Sequence, residues 1–517
     1  MSSALQLWAL VRCELQLRSR RASTLVALLG VLGITWLMLA DPAGGYALMV
    51  VDKQRMRYSS DTLAFGSASL GAVLFSLAGF YLSRGRTQED LRSGMAGVLA
   101  ASPLSSRTLL LGRWLGALCY LLLLALALLL GTLALHALRG EGPIQLGVYL
   151  QNYLLMLLPP LLAAAAFALL ADAWSPLMGR RGDVAYFFFW VCLLALLPLH
   201  EPKPGAPLTP LLLFDLSGLA SAITQLATLL GTSSISIGGS DFKAELGLRD
   251  FPVGMWTAEL TALRLSSGVL ALPPLLLAFA VFHRYAPERI RASGREGKRS
   301  RLSGLLQRLL APLTRAAARL LPLAARLPLP AVAATAAELL LSFITQPVAL
   351  LWLGLAWTGA VVAAPDERWA WQAGIALGWG LWAAELGARD AQCSTASLGA
   401  SLPGGALLRQ RSRWAAAFAL GLLALLPLAL PRGAAAVLAC VTGLAMLAAL
   451  AGLLGRLTQG SRAFLALFMV WMLMAVQVRH EAWLDLLGFN GQAQAVQTAV
   501  ALLAAVLLLG ADGARRR

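Results

Sequence analysis

The sequence has little charge for its length. Asp, Glu, Lys and Arg make up 13% of the 517 residues, about half of the ~25% that soluble domains carry. Hydrophobic residues make up 59%, which excludes a disordered chain and an ordinary soluble enzyme. The net charge of +17 would suggest nucleic-acid binding in a soluble protein. Here we expect no nucleic-acid partner and interpret the charge as an orientation signal in a bilayer.

The sequence also lacks the motifs of metal and nucleotide sites. Its five cysteines are far apart and have neither disulfide-framework nor zinc-ligand spacing. Segment 294–298 lacks the spacing of a phosphate-binding loop, and neither His-Glu pair of the chain is followed by the second histidine of a zinc-protease motif. We therefore predict no catalytic residue, no metal and no cofactor bound by this chain. The pairs, interpreted as polar caps of spans or as an outer gate, are His200 with Glu201 and His480 with Glu481.

Long apolar runs are abundant and predict about twelve transmembrane helices. A span needs about 20 mostly apolar residues. The candidates are 22–40, 62–82, 114–136, 150–170, 184–200 and 265–282 in the first half, and 347–364, 370–386, 414–430, 433–454, 463–478 and 495–510 in the second.

The basic residues orient these spans. With both termini inside, roughly three quarters of the 42 Lys and Arg residues fall in inner segments, as is typical of cytoplasmic loops. A further apolar segment, 211–231, is interrupted by polar residues, and if it crossed the membrane the basic segment 284–326 would lie outside. We therefore predict that 211–231 is an outer-surface or re-entrant helix and that both termini are cytoplasmic.

An internal repeat relates the two halves. The inner segments after spans 2 and 8 align at one offset, and the leads before spans 1 and 7 and the outer ends of spans 5 and 11 correspond as well. Six spans are then followed by six more in parallel, and parallel repeats are related by an axis along the membrane normal. The aligned pairs are Asp90 and Asp390, Pro103 and Pro403, Arg113 and Arg413, Trp114 and Trp414, Glu14 and Glu338, His200 and His480, and Glu201 and Glu481.

The predicted fold is an all-α polytopic membrane protein of two parallel six-helix halves. A basic linker joins the halves, and in it Arg301, Arg308 and Arg315 recur every seven residues. Such a helix is suited to lie on the anionic phospholipids of the inner leaflet. The predicted parts are a first half 1–282 with an inner lead helix 1–21 and an outer loop 201–264, the linker 283–330, and a second half 331–517.

The inner segment 83–113 is long for a transporter loop. Residues 88–101 predict a short helix with Glu89 and Asp90 in its first turn, where acidic side chains interact favourably with the helix dipole. Pro103 ends this helix. The following span begins with Gly112-Arg-Trp-Leu-Gly116, a small-xxx-small pattern that lets backbones approach closely.

This loop resembles that of type-2 ABC-exporter permeases, the membrane subunits of ATP-binding-cassette exporters. The similar features are the acidic residues, the Gly-rich short helix, Ser-Pro-Leu-Ser-Ser-Arg, a Leu run and Gly-Arg-Trp-Leu-Gly. The resemblance includes permeases grouped with multicopper-enzyme maturation, such as those serving nitrous-oxide reductase. It implies six spans per unit, an inner lead helix, an inner helix that docks on the ATPase and an enlarged outer loop before span 6.

In this chain 1–21 fits the lead helix, 88–101 the docking helix and 201–264 the enlarged loop. The second half departs, because Asp390 is the one acid left of the acidic pair and 397–403 replaces the first-half sequence. The resemblance implies a bacterial inner-membrane exporter with a separate ATPase, in two copies, and we add a possible periplasmic partner at 201–264. The predicted docking residues are Arg86, Glu89, Asp90, Arg92, Pro103, Arg107, Arg113, Asp390, Pro403 and Arg413.

The predicted spans have no Asp, Glu, Lys or Arg near their middle. Ionisable residues at that depth usually mark proton relays or ion sites, so their absence favours energy from another subunit. Pro159 and Pro160 in span 4 and Pro273 and Pro274 in span 6 are expected to kink these helices or leave carbonyl groups free. We predict that they line the transport path.

Two other interpretations stay open. A twelve-span secondary transporter of the major-facilitator kind also has two parallel halves and a basic linker, although its Gly-x-x-x-Asp-Arg-x-Gly-Arg motif is missing from the loop between spans 2 and 3. A non-transporting membrane scaffold or a membrane-embedded enzyme is the third, and the few polar groups in the spans give an enzyme little chemistry.

Overall fold

A computed structural model describes residues 3–39, 41–199, 203–283, 285, 301–393, 405–477 and 482–514. The chain forms two compact units, Met1–Gly297 and Lys298–Arg517. The division falls within the predicted basic linker 283–330. Each unit is mainly helical, and each is described in turn below.

Unit 1 is built around two long buried helices, α3 and α7, which pack on each other along their length. Ser and Thr residues cap the helices: Ser59 accepts from the backbone of Thr62 at the start of α3, and Ser105 does so at the start of α6. The helices are α1 (Ser3–Ser19), α2 (Ala22–Met38), α3 (Ser60–Ser83), α4 (Arg86–Arg92), α5 (Met95–Ala101), α6 (Ser106–Arg139), α7 (Leu146–Ala173), α8 (Arg180–Leu199), α9 (Leu219–Leu230), α10 (Ala258–Ser267) and α11 (Leu272–Val281).

A small β-sheet at one end of unit 1 was not predicted from the sequence. Its strands are β1 (Tyr46–Val51), β2 (Gln54–Met56), β3 (Ile235–Asp241) and β4 (Leu248–Arg249), in the order β3-β1-β2-β4. Asp52 and Lys53 form the two-residue turn between β1 and β2, both with positive φ, as tight hairpins require. The prediction of a helical protein is therefore right for the spans but incomplete for the loops.

Helix α1 lies against the start of α6. The predicted small-xxx-small pair forms this contact, because Gly112 faces Leu10 and Gly116 faces Glu14 at close approach. Helix α6 has 34 residues and is therefore about 50 Å long, well beyond the ~30 Å hydrocarbon core. Arg113 consequently lies in the second turn of a helix that begins before the predicted span 114–136.

Unit 2 contains α12 (Arg301–Ala324), α13 (Pro330–Thr345), α14 (Val348–Val362), α15 (Arg368–Cys393), α16 (Gly405–Ala429), α17 (Ala434–Leu457), α18 (Arg462–Gln477) and α19 (Ala495–Ala514). Helix α17 packs against α15, α16 and α19, and α13 packs against α12 and α16. Trp379 of α15 is fully buried and donates its indole N–H to the carbonyl of Ala417 at 2.8 Å. Helices α15, α16 and α17 therefore form the centre of this unit.

All twelve predicted spans fall on helices, but their number stays a prediction. In the described parts of the chain, six helices are long and apolar enough to cross a bilayer, and up to eight if each bent pair is one span. The bent pairs are α1 with α2, at 73°, and α13 with α14, at 100°. The six are Ser60–Leu91, Ser106–Arg139, Leu146–Ala173, Ala258–Val281, Leu407–Arg432 and Ala434–Leu457. These apolar helices indicate a membrane-embedded protein.

Two predicted helices are broken. Segment 211–231 consists of a 3-10 turn, Pro210–Phe214, a bend, and α9 with 12 residues, about 18 Å and too short to cross the hydrocarbon core. The predicted docking helix 88–101 is two short helices, α4 and α5, because Gly94 between them has a φ of +76°. Glu89 thus lies in the first turn of α4, as predicted for the longer helix, and Asp90 follows it within the same seven-residue helix.

Helices α15 and α17 approach so closely that no side chain fits between them. A methyl group on Gly455 would meet the backbone of Gly387, whereas one on Gly452, on the same helix, would meet nothing within 4 Å. Backbone cannot move aside as a flexible side chain can, and overpacking of this kind typically costs about 1–3 kcal/mol.

We expect Gly455→Ala to lower the free energy of unfolding by at least that amount and the melting temperature of the purified protein by several degrees. Gly452→Ala is the matched control and should melt like the natural protein. Thermal unfolding in detergent, followed by size-exclusion chromatography, measures both variants. Equal melting temperatures for the two variants would contradict the close contact between α15 and α17.

Candidate functional site: paired charge clusters

The first charge cluster lies where α1, α4 and α6 meet, and it consists of Glu14, Arg86, Asp90, Arg113 and Tyr285. Arg86 donates to Glu14 at 2.9 Å and pairs with Asp90 at 3.2 Å. Arg113 pairs with Asp90 and donates to the Tyr285 hydroxyl at 2.6 Å, and this hydroxyl donates to Asp90 at 2.8 Å. A closed network therefore joins three helices and the segment that follows α11.

Burial makes this network depend on its partners. The side chains of Asp90 and Arg113 are only 1% and 3% exposed, and a charge at such a site is strongly destabilising unless it is paired and hydrogen-bonded. Burial raises the pKa of Tyr285 and Asp90 raises it further, against the opposing effect of Arg113. The hydroxyl therefore stays protonated and can donate to Asp90.

A second set of polar contacts fixes α4 to α7 and α8. Asp172 accepts the backbone N–H groups of Gly85 and Arg86 at 2.7 and 2.8 Å, and thereby caps the start of α4. The fully buried Arg84 pairs with Asp172 at 3.5 Å and also with Asp183. The loop between α3 and α6 is thus held to four helices of unit 1.

The second charge cluster occupies the corresponding place in unit 2, and it consists of Glu338, Arg389, Asp390, Arg409 and Arg413. Arg413 pairs with Asp390 at 2.5 Å and donates to Glu338 at 3.4 Å. Arg389 pairs with Glu338, and Arg409 with Asp390 at 3.1 Å. As in unit 1, where Arg113 also approaches Glu14 at 3.9 Å, an arginine near the start of a long helix binds one acid of the lead helix and one acid that precedes it in the chain, here Asp390 near the end of α15.

The pairs that the sequence aligned make matching contacts. Glu14, Asp90 and Arg113 meet in unit 1, and the residues aligned with them, Glu338, Asp390 and Arg413, meet in unit 2. The aligned tryptophans also agree, since Trp114 donates to the carbonyl of Leu162 on α7 at 3.3 Å and Trp414 to that of Ala445 on α17 at 3.1 Å. These side-chain contacts support the predicted internal repeat.

The two clusters differ in polarity. Ser83, Arg86 and Thr87 border a cavity of about 10 Å³ in unit 1, and the residues aligned with them, Ala383, Leu386 and Gly387, border one of about 30 Å³ in unit 2. Asp172 lies ten residues after Leu162, and Gly455 lies ten residues after Ala445. If the two carbonyls bonded by tryptophan are aligned, Asp172 therefore aligns with Gly455. In unit 1 the carboxylate of Asp172 therefore bridges the two elements, whereas in unit 2 Gly387 and Gly455 bring the equivalent helices into direct contact.

The structure changes the predicted docking residues. Asp90 and Arg113 are buried in the first cluster, so their side chains are not surface charges. Glu89 is 44% exposed and pairs with Arg21 and Arg86, and Pro103 and Arg107 are exposed. Arg92 ends α4. Several predictions fall outside the described residues: the second docking proline, Pro403, and the proposed outer gate, His200, Glu201, His480 and Glu481.

Helix α5 presents an apolar surface beside the first charge cluster. Met95 and Val98 are 46% and 62% exposed, whereas Ala96 is buried and anchors the helix. The docking residues predicted from the sequence in this loop are charged residues and a proline, and Met95 and Val98 are not among them. Their spacing on one side of a seven-residue helix could have indicated a contact surface.

A turn that was not predicted from the sequence precedes α9 in unit 1 and α19 in unit 2. Asp215-Leu-Ser-Gly218 and Asp485-Leu-Leu-Gly488 each follow a 3-10 turn, and both glycines have positive φ, +77° and +70°. Asp215 accepts from the backbone of Gly218 at 2.9 Å, and Asp485 from that of Asn490 at 3.0 Å. Burial raises the pKa of Asp485, and the backbone N–H groups and Arg432 oppose that effect.

The proline pair of α7 leaves carbonyl groups that a buried arginine satisfies. Pro159 and Pro160 lack the N–H groups that would bond the carbonyls of Leu155 and Met156. Arg264, fully buried, donates to these two carbonyls at 3.3 and 3.4 Å and to that of Asp215 at 2.8 Å. The prolines therefore leave two carbonyls without helical bonds, as predicted, and α7 continues past both prolines as one helix.

The second proline pair lies at a change of helix type. Pro273 and Pro274 begin α11, directly after a 3-10 segment Gly268–Ala271. The missing N–H groups leave the helix without two bonds at this level. The predicted span 265–282 is accordingly a joined series of α10, the 3-10 segment and α11.

No family model, curated protein or solved structure matches this chain. Within the part of the chain that the structure describes, no three His, Cys, Asp or Glu side chains lie together as metal ligands. The arrangement therefore has to be understood from its own chemistry: two acid–arginine clusters, one buried and one partly exposed, each joining a lead helix to a long helix and to an acid that precedes that helix.

We expect Asp90→Ala to lower the free energy of unfolding by about 3–5 kcal/mol, because it leaves Arg113 buried without its closest acid. Asp390→Ala should cost less than half as much, since Asp390 is 22% exposed and water can reach Arg413. Denaturant or thermal unfolding of the purified variants measures both. Glu89→Gln, in the same loop as Asp90, is the control and should cost under ~1 kcal/mol. Equal losses for Asp90→Ala and Asp390→Ala would contradict the difference in burial.

Proposed function

We propose that this chain is the membrane permease of an ATP-binding-cassette exporter, driven by a separate ATPase present in two copies. The observation that carries the proposal is the charge cluster that occurs once in each unit. In both, an arginine of a long helix is bound to an acid of the lead helix and to an acid that precedes the long helix, Asp90 of α4 or Asp390 of α15. A pair of such devices is expected where two identical subunits act on the two halves of one membrane protein.

The first cluster is suited to transmit movement. Arg86 and Asp90 attach α4 to α1 and α6, and Asp172 attaches its start to α7. A force applied to the α4–α5 loop would therefore move several helices together instead of bending the loop. Rigid-body rocking of helix groups is a common way to convert the movement of a bound subunit into a change of access.

Helix α5 is the proposed docking surface. Its exposed Met95 and Val98 offer the apolar contact that well-packed interfaces use, and Glu89 adds a charge at the edge. This assignment replaces Asp90 and Arg113, which act behind the surface by holding the loop. Under this proposal the cluster end of each unit is cytoplasmic, in agreement with the bias of the basic residues.

The β-sheet end of unit 1 is then the outer end. Helix α3 runs from the sheet, where the Tyr58 hydroxyl accepts the N–H of Leu48 at 2.9 Å, to the loop that begins α4. The sheet joins residues of the loop between α2 and α3 to residues of the large loop before α10. We propose that this folded outer element, within 201–264, is what a periplasmic partner would meet.

Helix α12 supports a further partner, the anionic phospholipids of the inner leaflet. Leu310, Ala317 and Ala324, spaced by seven residues, are buried, whereas Leu313 and Leu320 are about half exposed. The exposed Arg315 and Arg319 lie on the same helix. Exposed leucines beside arginines suit a helix that lies in the membrane interface with its arginine stems extended towards the headgroups.

Purification of the tagged protein from its native host tests the exporter proposal. We expect an ATP-binding subunit to copurify and transport to stop when ATP is depleted. A sample without such a subunit, whose transport survives ATP depletion but stops when the proton gradient is collapsed, would instead establish a secondary transporter.

Replacement of both docking residues, Met95→Ser with Val98→Ser, tests the role of α5. We expect at least a fivefold loss of ATPase copurification and of transport, with an unchanged melting temperature, because both side chains are exposed. Leu138→Ser is the matched control, since Leu138 is 75% exposed near the opposite end of α6. Undiminished ATPase binding in the double variant would disprove docking at α5.

A further inference from the structure

Unit 2 has an open groove. It lies between α13, α16 and α19 and has a volume of about 730 Å³, within the ~300–1,000 Å³ of small-molecule sites. Ala331 and Thr335 of α13, Arg411 and Trp414 of α16, and Val506 of α19 line it. All of these residues belong to unit 2.

The groove contains an unsatisfied polar atom. Gln410 is 7% exposed and lines the groove, and its amide N–H donates to the carbonyl of Leu509 at 3.2 Å. The side-chain oxygen of Gln410 is buried and has no hydrogen-bond partner among the described residues. A buried acceptor without a donor is destabilising, so a ligand that brings an O–H or N–H group is favoured here.

The equivalent place in unit 1 is filled. Leu110 aligns with Gln410 and packs against Leu275 and Ala278 of α11 in a buried cluster. Leu109, Leu110 and Leu111 thus correspond to Arg409, Gln410 and Arg411. Where unit 1 closes with leucines, unit 2 places the amide of Gln410 and the guanidinium of Arg411 beside an open groove.

The surroundings of the groove indicate what occupies it. Leu502, Val506 and Leu507 of α19 are more than half exposed next to it, and in a membrane-embedded protein such an apolar surface faces acyl chains. Arg411 is exposed and lines the groove, where its guanidinium can bind a phosphate in a bidentate manner. Apolar wall, cation and free acceptor together match an acyl chain, a phosphate and a headgroup hydroxyl.

We propose that this groove binds one anionic phospholipid of the surrounding bilayer. Its acyl chain lies along Trp414 and Val506, its phosphate binds Arg411, and a headgroup hydroxyl donates to Gln410. The site requires only that the chain is embedded in a membrane, so it goes beyond the proposed exporter function and is independent of any ATPase.

Photolabelling of the full chain in phosphatidylcholine vesicles tests the site. A trace of phosphatidylglycerol with a photoreactive acyl chain is added, and labelled peptides are identified by mass spectrometry. We expect label on peptides of α16 and α19, at least fivefold above that from the phosphatidylcholine analogue. Gln410→Leu with Arg411→Gln should remove most of the difference.

The single variant Arg411→Gln is also measured, because an exposed side chain can be replaced without unfolding unit 2. We expect at least a threefold loss of label in this variant. Arg107→Gln removes an exposed arginine at the start of α6 in unit 1 and should change nothing. Equal labelling by both lipids, or label that persists in the Arg411 variants, would overturn the proposal and leave the groove as ordinary lipid-facing surface.

Discussion

The pairing of a buried arginine with two acids holds each unit together at one end. Arg113 could not remain in the second turn of α6 without Asp90 and Glu14, because an unpaired buried charge is strongly destabilising. Asp90 belongs to α4 and Glu14 to α1, so these ion pairs fix the loop and the lead helix against the start of α6. Unit 2 meets the same requirement with Arg413, Asp390 and Glu338. The order of helices at this end follows from that requirement.

Much of this arrangement could be predicted from the sequence, because charge is rare in it. The apolar runs all fall on helices, and the few charges that align between the halves meet one another within each unit. Asp90 with Asp390 and Arg113 with Arg413 stand out for that reason. The alignment could not show that these side chains are buried. Burial depends on contacts between distant segments, such as that of Glu14 with Arg86, which lies far later in the chain.

Other features depend on contacts that no local pattern shows. Strand β1 is a continuous apolar run, and its partner β3 lies nearly two hundred residues further on, so neither predicts the other. Segment 88–101 is broken by the positive φ of Gly94, and a glycine at this position could also have stood within a continuous helix. The repeated Asp-Leu-x-Gly turn is visible in the sequence, but three identical positions in four residues become meaningful only once both glycines are seen to have positive φ and to donate their N–H to the carbonyl of the aspartate.

The two units differ around a similar set of contacts. Unit 1 has Asp172 and Arg84 to fasten its loop and closes its side with leucines, whereas unit 2 brings α15 and α17 together through glycines and has a groove beside Gln410. Position 89 is an acid in unit 1, and position 389 is a base in unit 2. Buried charges therefore hold the loop of unit 1, whereas unit 2 leaves a groove open to its surroundings.

The proline pair of α7 has a mechanical consequence. Because Pro159 and Pro160 leave two carbonyls to Arg264, which also binds the carbonyl of Asp215, one guanidinium group links the middle of a long helix, the turn before α9 and α10 itself. Ordinary helical bonds run along a single helix, but these bonds run across three elements. A shift of α7 at this level therefore carries the turn and α10 with it or breaks these bonds.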